Sequence, residues 1–133
     1  MTNEAHVVRV VAAVIENSQG EILIAKRQDH LHQGGLWEFP GGKLEAQEQP
    51  HAALARELAE ELGISVNVAQ PLLKTRHDYP DKSVELDVWT VTSFAGEAHG
   101  REGQKIAWVR REELASYDFP VANTPILEQL AAT

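Results

Sequence analysis

Residues 42–64 read GKLEAQEQPHAALARELAEELGI, and this stretch decides how the rest of the sequence is interpreted. A leucine recurs every fourth residue in its second half, which predicts one apolar face on a helix that runs over Pro50–Leu62. Proline suits the first position of a helix, and Gly63 is placed to end it. Gln49 is a poor N-cap compared with serine, threonine or aspartate. We therefore expect a helix that packs through its leucines and lies between two loops.

The opposite side of this helix is acidic. At 100° per residue, Glu57, Glu60 and Glu61 fall within an arc of about 100°. Like charges four residues apart weaken a helix, so the cluster needs compensating positive charge. Arg56 can supply some of it through its i,i+4 relation with Glu60. Divalent cations can supply the rest, because hard cations such as Mg²⁺ prefer oxygen ligands.

An acidic run by itself is usually a solvated helix face. Here the spacing of the other residues favours a function: a glycine, five residues, a glutamate, seven residues, Arg-Glu-aliphatic, one residue, Glu-Glu, one residue, and Gly-aliphatic. In this chain the pattern is Gly42, Glu48, Arg56-Glu57-Leu58, Glu60-Glu61 and Gly63-Ile64. It is the pattern of the Nudix box, and the sequence resembles the Nudix hydrolase superfamily over residues 42–64.

The resemblance extends beyond the box to the 8-oxo-dGTP diphosphatases of the MutT type. Three further segments match that family: Glu38-Phe39-Pro40-Gly41-Gly42, Arg101-Glu102-Gly103-Gln104, and Phe119-Pro120-Val121-Ala122-Asn123-Thr124-Pro125. The resemblance implies an α/β protein with the Nudix α/β/α sandwich, in which a mixed β-sheet lies between helices. It implies a single Nudix domain over residues 1–133.

Periodicity and turn residues predict the remaining elements from the chain itself. Two strands joined as a hairpin around a turn at 17–20 are expected over Val7–Ile15 and Glu21–Arg27. The other expected elements are a loop over 28–35, an extended piece over 36–39 ended by Pro40-Gly41-Gly42, strands over 66–79, 84–94 and 106–109, a loop over 96–104, a helical turn over 112–115, and a final helix over 124–131 with Thr124 as N-cap.

The resemblance also implies roles for individual residues. Mg²⁺ or Mn²⁺, two or three ions, would be held by Glu57, Glu60, Glu61, Glu102 and the carbonyl of Gly41. Glu57 is our first choice for the general base and Glu102 our second. Glu48 would anchor the box loop or Arg56, and the nucleoside would be bound by Arg27, Phe39, Lys82 and Asn123.

The implied reaction is hydrolysis of 8-oxo-dGTP, and more weakly of 8-oxo-GTP and dGTP, to a nucleoside monophosphate and pyrophosphate, which sanitises the nucleotide pool. A sister Nudix enzyme acting on CTP, 5-methyl-dCTP or another nucleotide is the first alternative. Asn123 favours the oxidised purine, since relatives with pyrimidine preference tend to carry aspartate there. The second alternative is a non-catalytic Nudix module that senses 8-oxoguanine, but such modules generally lack the box glutamates. Lys82 departs from the family's arginine, and lysine lacks the planar forked contact.

Composition limits the partners. A net charge of −8 argues against stable nucleic-acid binding, which normally needs a basic face. The longest early apolar run is too short for a membrane span. The chain contains no cysteine, which excludes disulfides and thiolate metal sites and fits a cytoplasmic location. We expect a monomer whose partner is a nucleoside triphosphate.

Overall fold

The computed structural model describes residues 6–30 and 34–132. Part of the predicted loop at 28–35, namely 31–33, and both ends of the predicted 1–133 domain lie outside the described residues. The elements are β1 (Val7–Ile15), β2 (Glu21–Lys26), β3 (Trp37–Glu38), β4 (Gly41–Lys43), α1 (Pro50–Leu62), β5 (Ser65–Asp78), β6 (Ser83–Ala95), β7 (Ile106–Arg110) and α2 (Thr124–Ala131), with 3₁₀ helices at Arg111–Ser116 and Val121–Asn123.

The strands form two sheets. One has the order β4-β1-β6-β5 and is mixed, because β1 runs parallel to β6 while its other pairs are antiparallel. The other has the order β3-β2-β7 and is antiparallel. The predicted α/β class with a mixed sheet is confirmed.

The predicted hairpin of β1 and β2 is wrong. The two strands belong to different sheets, and within the described residues they are linked by one bridge, Glu16 to Ile22. The physical reason is that a strand has two edges, and those of β1 pair with β4 and β6 while those of β2 pair with β3 and β7. The turn itself forms where expected, with Asn17 Oδ1 accepting from the backbone N–H groups of Gln19 and Glu21.

The core has two layers, one on each face of the strands. Alternate residues of a strand face opposite sides, and β1 and β2 contribute apolar residues to both. One layer contains Val11, Ala13, Ile15 and Leu23 packed with Leu54, Leu58 and Leu62 of α1. The other contains Ala12, Val14, Ile22 and Ile24 packed with Ile126 and Leu130 of α2. The two helices therefore lie on opposite faces, as the sandwich prediction requires.

The ends of α1 follow the sequence prediction. Pro50 occupies the first turn, and Gln49 makes no side-chain capping bond. Gly63 has φ 71° and donates its N–H to the carbonyl of Ala59. Such a left-handed residue at the helix end favours glycine because it lacks a Cβ.

The start of α2 differs from the prediction. Thr124 is the first helical residue, and Asn123 holds the N-cap position without a side-chain capping bond. The reason is the 3₁₀ helix Val121–Asn123, which turns the chain directly into α2. The consequence matters for the site, because the Asn123 amide is not used to cap the helix.

Strand β4 was not predicted, since glycine is depleted in strands. Gly41 nevertheless pairs with Ala12 and Gly42 with Val11. A Cβ on Gly41 would overlap the carbonyl oxygen of Val11, so only glycine permits this close approach. The backbone of the box is thereby placed directly beside the central strand.

We expect Leu58→Ala to lower the free energy of unfolding by about 2–5 kcal/mol, because Leu58 is fully buried and the truncation leaves a cavity. Urea denaturation followed by circular dichroism measures the change. Val121→Ala is the control, since this side chain is 62% exposed and its truncation should change stability by less than about 0.5 kcal/mol. A comparable loss in both variants would contradict the packing assigned to α1.

Candidate active site

A cavity of about 330 Å³ lies where β1 and β4 face the end of β2, the loop before β7 and the start of α2. This volume is within the range of small-molecule sites, roughly 300–1,000 Å³. Six of the predicted site residues line it: Arg27, Phe39, Gly41, Glu61, Glu102 and Asn123. A second cavity of about 300 Å³, beside Arg9, Lys74 and Arg76, contains none of them.

Carboxylates come together in the lining of this cavity. Burial raises the pKa of Glu61 well above its ordinary value, and a hydrogen bond and negative charge from Glu57 raise it further, as do the charges of Glu102 and Glu38. Burial also raises the pKa of Glu38, against the opposing effect of Arg27, whose guanidinium lies 3.5 Å from it. The negative charges of Glu57, Glu102 and Glu38 therefore all act against ionisation of Glu61.

Arg56 binds the acidic helix to the preceding loop. Its Nε and Nη2 donate to the two oxygens of Glu48 at 2.8 and 2.9 Å, and Nη1 donates to Glu57 at 3.0 Å. Nη2 also donates to the carbonyl of Lys43 at 3.1 Å. The expected partner Glu60 is more distant, at 3.4 Å, and its side chain is 58% exposed. The main partner of Arg56 is therefore Glu48, in the forked geometry that carboxylates offer to arginine.

This pairing shifts the pKa of both groups. Hydrogen bonds from Arg56 and from the backbone N–H of Glu45 lower the pKa of Glu48 to about 2. The pKa of Arg56 is raised by the same contacts with Glu48 and Glu57. Both residues therefore stay charged across the range in which a hydrolase works.

The first glycine of the box, Gly42, leaves space for a neighbouring side chain. A Cβ at this position would overlap the carboxylate of Glu57. The Glu57 side chain, 15% exposed, is accordingly enclosed between the Gly42 backbone and Arg56. A glycine at this position lets the carboxylate approach β4.

Five of the eleven predicted site residues do not line the cavity. Glu60 is on the exposed flank of α1 and does not line it. Lys82 lies in the turn between β5 and β6, where its carbonyl accepts from the N–H of Tyr79, and it too is absent from the lining. The other three are Glu48, Arg56 and Glu57. They are connected to the cavity through the contact of Glu57 with Glu61, which lines it.

The site also contains residues to which the sequence interpretation gave no role. Glu38 and Gln28 both line the cavity, as does Gln104. Glu38 belongs to the Glu-Phe-Pro-Gly-Gly segment, so its motif context could have indicated it. Nothing local marks Gln28, whose side chain contacts the backbone 74 residues away. Phe39 is buried and stacks on Phe119 with ring centroids 5.1 Å apart.

The residues fit a hard divalent cation by their chemistry. Carboxylate and carbonyl oxygens are its preferred ligands, and Glu57, Glu61, Glu102 and the Gly41 backbone supply them. Arg56 neutralises the side of Glu57 that faces the loop, whereas Glu61 and Glu102 face the cavity. Over residues 6–30 and 34–132, however, no three acidic or histidine side chains already stand in a coordinating arrangement. Within these residues, the candidate oxygen ligands lie near one another but do not form a complete coordination site.

Comparison with known proteins gives consistent similarities. A family model described as NUDIX domain matches residues 11–129. An 8-oxo-dGTP diphosphatase of Escherichia coli strain K12 is 37% identical, over 92% of this chain and 95% of its own. A CTP pyrophosphohydrolase of the same strain is 39% identical, over 94% and 92%.

Solved structures agree with these similarities. A chain from a study of MutT from Aliivibrio salmonicida and Vibrio cholerae superposes with a TM-score of 0.83 and 46% identity, covering 95% of this chain and 98% of that one. The solution structure of the E. coli ORF135 protein superposes with a TM-score of 0.85 and 38% identity, covering 96% of this chain and 91% of that one.

None of the helices in residues 6–30 and 34–132 has the length and apolar character of a membrane-spanning helix.

The Arg56–Glu48 pair predicts how stability depends on pH. Glu48 has a pKa of about 2 in the folded protein against an ordinary value of 4.5, so its contribution is complete above pH 4.5. The contribution is lost as the pH falls from there toward 2. Stability of the wild type should therefore fall more steeply over this interval than that of Glu48→Gln.

Urea denaturation at a series of pH values measures this difference. Glu45→Gln is the matched control, because Glu45 is 71% exposed and 3.9 Å from Arg56. Its curve should follow the wild type. If the free energy of unfolding of Glu48→Gln changed with pH in parallel with that of the wild type, the Arg56–Glu48 pair would not be the cause of the lowered pKa of Glu48.

Proposed function

This chain belongs to the NUDIX domain family, and on that premise we propose that it hydrolyses 8-oxo-dGTP to 8-oxo-dGMP and pyrophosphate with the help of divalent cations. The observation that carries the proposal is one cavity whose lining combines the glutamates Glu38, Glu61 and Glu102 with Asn123. The relatives named 8-oxo-dGTP diphosphatase support it. The extent of the family match supports a single domain over 1–133.

We propose that Glu57, Glu60, Glu61, Glu102 and the carbonyl of Gly41 hold Mg²⁺ or Mn²⁺, two or three ions in all. Bound cations supply positive charge that offsets the negative charge of the triphosphate. They also lower the pKa of a coordinated water. This also explains how a chain of net charge −8 binds a polyanion. Glu60 would need to turn inward from its exposed position to take part.

The chain's own residues prepare the reacting groups. Glu57 is our proposed general base, which takes a proton from the water that attacks the β-phosphorus; the bridging oxygen then leaves with the nucleoside monophosphate. Glu102 is the second candidate, from the opposite wall. Arg56 and Glu48 do not touch the substrate in this scheme. They fix the Glu57 carboxylate through the contacts at 2.8–3.0 Å.

The cavity residues Asn123, Arg27 and Phe39 account for base preference in this proposal. 8-Oxoguanine differs from guanine by a carbonyl at C8 and a proton on N7. The Asn123 amide offers a donor and an acceptor, and it does not cap α2. We propose that it hydrogen-bonds this edge, with Arg27 and Phe39 on the neighbouring walls. Lys82 receives no role, because it does not line the cavity.

A second function has a specific observation behind it. The relative named CTP pyrophosphohydrolase is as similar to this chain as the one named 8-oxo-dGTP diphosphatase. Hydrolysis of CTP or 5-methyl-dCTP would use the same acidic residues and differ at the base.

The expected monomeric state, cytoplasmic location and lack of stable nucleic-acid binding stay predictions.

Replacing Glu57 by glutamine should lower kcat by about 10²–10⁴-fold, because the variant keeps the size of the side chain but cannot accept the proton. Pyrophosphate release under saturating Mg²⁺ measures it, alongside thermal unfolding to show that the fold persists. Glu113→Gln, at an exposed position in the 3₁₀ helix, should retain full turnover. Near-normal turnover of Glu57→Gln with metal bound would remove Glu57 as the base.

Asn123→Ala should reduce kcat/KM for 8-oxo-dGTP at least about tenfold more than for dGTP, because a buried polar edge of the correct base loses its partner. A panel of 8-oxo-dGTP, dGTP, CTP, 5-methyl-dCTP and ADP-ribose measures the preference of each variant. Asn67→Ala, exposed on β5, is the matched control. Equal losses on both purines would refute the role of Asn123, and a wild-type preference for CTP would select the second function.

A further inference from the structure

The loop that carries Glu102 is docked on the last turn of α1. The backbone N–H groups of His99 and Arg101 donate to the carbonyls of Leu62 and Glu61 at 3.1 and 3.0 Å, and Arg101 Nη1 donates to the carbonyl of Ala59 at 2.9 Å. The carbonyls of Glu61 and Leu62 belong to the last turn, where a helix leaves carbonyls without internal partners, while that of Ala59 also accepts from the N–H of Gly63. A cation at this end also interacts favourably with the helix dipole. The loop is therefore attached to the helix that carries Glu57 and Glu61.

Two glutamine side chains bind the Glu102 backbone directly. The Oε1 atom of Gln104 accepts from the N–H of Glu102 at 2.9 Å, while its Nε2 donates to the carbonyl of Glu61 at 3.2 Å. From the other side, Nε2 of Gln28 donates to the carbonyl of Glu102 at 2.9 Å. Gln28 follows the end of β2 and is the neighbour of Arg27. Glu102 is thus bound to α1 and to the strand wall at once.

The shape of the loop does not by itself fix the carboxylate. Gly103 has φ +83°, which favours glycine, and its N–H donates to the carbonyl of Gly100 at 3.1 Å. This turn leaves Glu102 exposed at its tip. The contacts that tie the tip to the walls of the cavity are those of Gln28 and Gln104.

We propose that Gln28 and Gln104 are positioning residues, which set the location of the Glu102 carboxylate relative to Glu61; this rests on the proposed function, in which Glu102 serves the cations or the attacking water. At position 104 only an amide suffices, because one contact needs an acceptor and the other a donor. At position 28 any donor of similar reach suffices, because the single partner is a carbonyl oxygen.

The test is a double-mutant cycle between Gln28 and Glu102. Gln28→Leu keeps the size but removes the donor, Gln28→Lys keeps a donor, and Glu102→Gln removes the carboxylate. Mn²⁺ affinity is measured by the electron paramagnetic resonance of free Mn²⁺, and kcat with the nucleotide that gives the highest turnover. Gln70→Leu, exposed on β5 and outside the cavity lining, is the matched control.

We expect Gln28→Leu to weaken Mn²⁺ binding or lower kcat by about three- to tenfold, the effect of one lost hydrogen bond, with Gln28→Lys near the wild type. In the Glu102→Gln background, Gln28→Leu should have no further effect, since it acts through the missing carboxylate. Thermal unfolding should change little in any of these variants.

Additive effects of the two substitutions would overturn the proposal, as would a lysine variant no better than leucine. A Glu102→Gln variant with unchanged Mn²⁺ affinity and unchanged kcat would overturn it too, because no task would remain for the positioned group. The Mn²⁺ arm contains no nucleotide. A non-additive cycle together with a preference for CTP would therefore keep the positioning role and reject only the proposed base preference.

Discussion

The repulsion that other carboxylates exert on the partly buried Glu61 is the constraint on which the rest of the site depends. Burial disfavours the charged form of Glu61 and raises its pKa, and the negative charges of Glu57, Glu102 and Glu38 raise it further. Arg56 offsets this repulsion on one side only, because its guanidinium is committed to Glu48, Glu57 and the Lys43 carbonyl. On the cavity side, Arg27 lies 3.5 Å from Glu38, and Glu61 and Glu102 complete the acidic lining. In the proposed function, bound divalent cations would offset this repulsion and allow an acidic chain to bind a triphosphate.

The fold supplies the close packing that this arrangement needs. β1 is buried on both faces, so it fixes α1 on one side and α2 on the other. β4 lies against the edge of β1 at a distance that only glycine permits at position 41, and Gly42 leaves room for the Glu57 carboxylate. The glycines and the leucines of the box therefore have a common effect, since both bring the helix carboxylates up to the sheet. Packing and site geometry are set by the same residues.

The sequence predicted what is local. The period of the leucines, Pro50 and Gly63 located α1 to the residue, because helix periodicity and end signals are short-range. The hairpin of β1 and β2 was wrong because the choice of edge partner is decided by strands distant in the chain. The sequence did not predict β4, because glycine has a low strand propensity. The strand forms because these glycines let the backbone of β4 approach β1 closely. At the site, the motifs located Glu61, Glu102 and Asn123, whereas the contact of Gln28 with Glu102 spans 74 residues and leaves no local pattern.

In the proposed function, different residues serve the chemistry and the choice of base. The arrangement of the acidic box residues follows from helix geometry and the Arg56 contacts, and it does not depend on the base. Asn123 lines the cavity and does not cap α2, because a 3₁₀ helix runs straight into that helix. Relatives named for a purine and for a pyrimidine triphosphate resemble this chain about equally, so overall similarity cannot discriminate between the two bases. We propose that the discrimination comes from side chains of the cavity lining such as Asn123, whose amide can pair with a C8 carbonyl and an N7 proton that no pyrimidine presents.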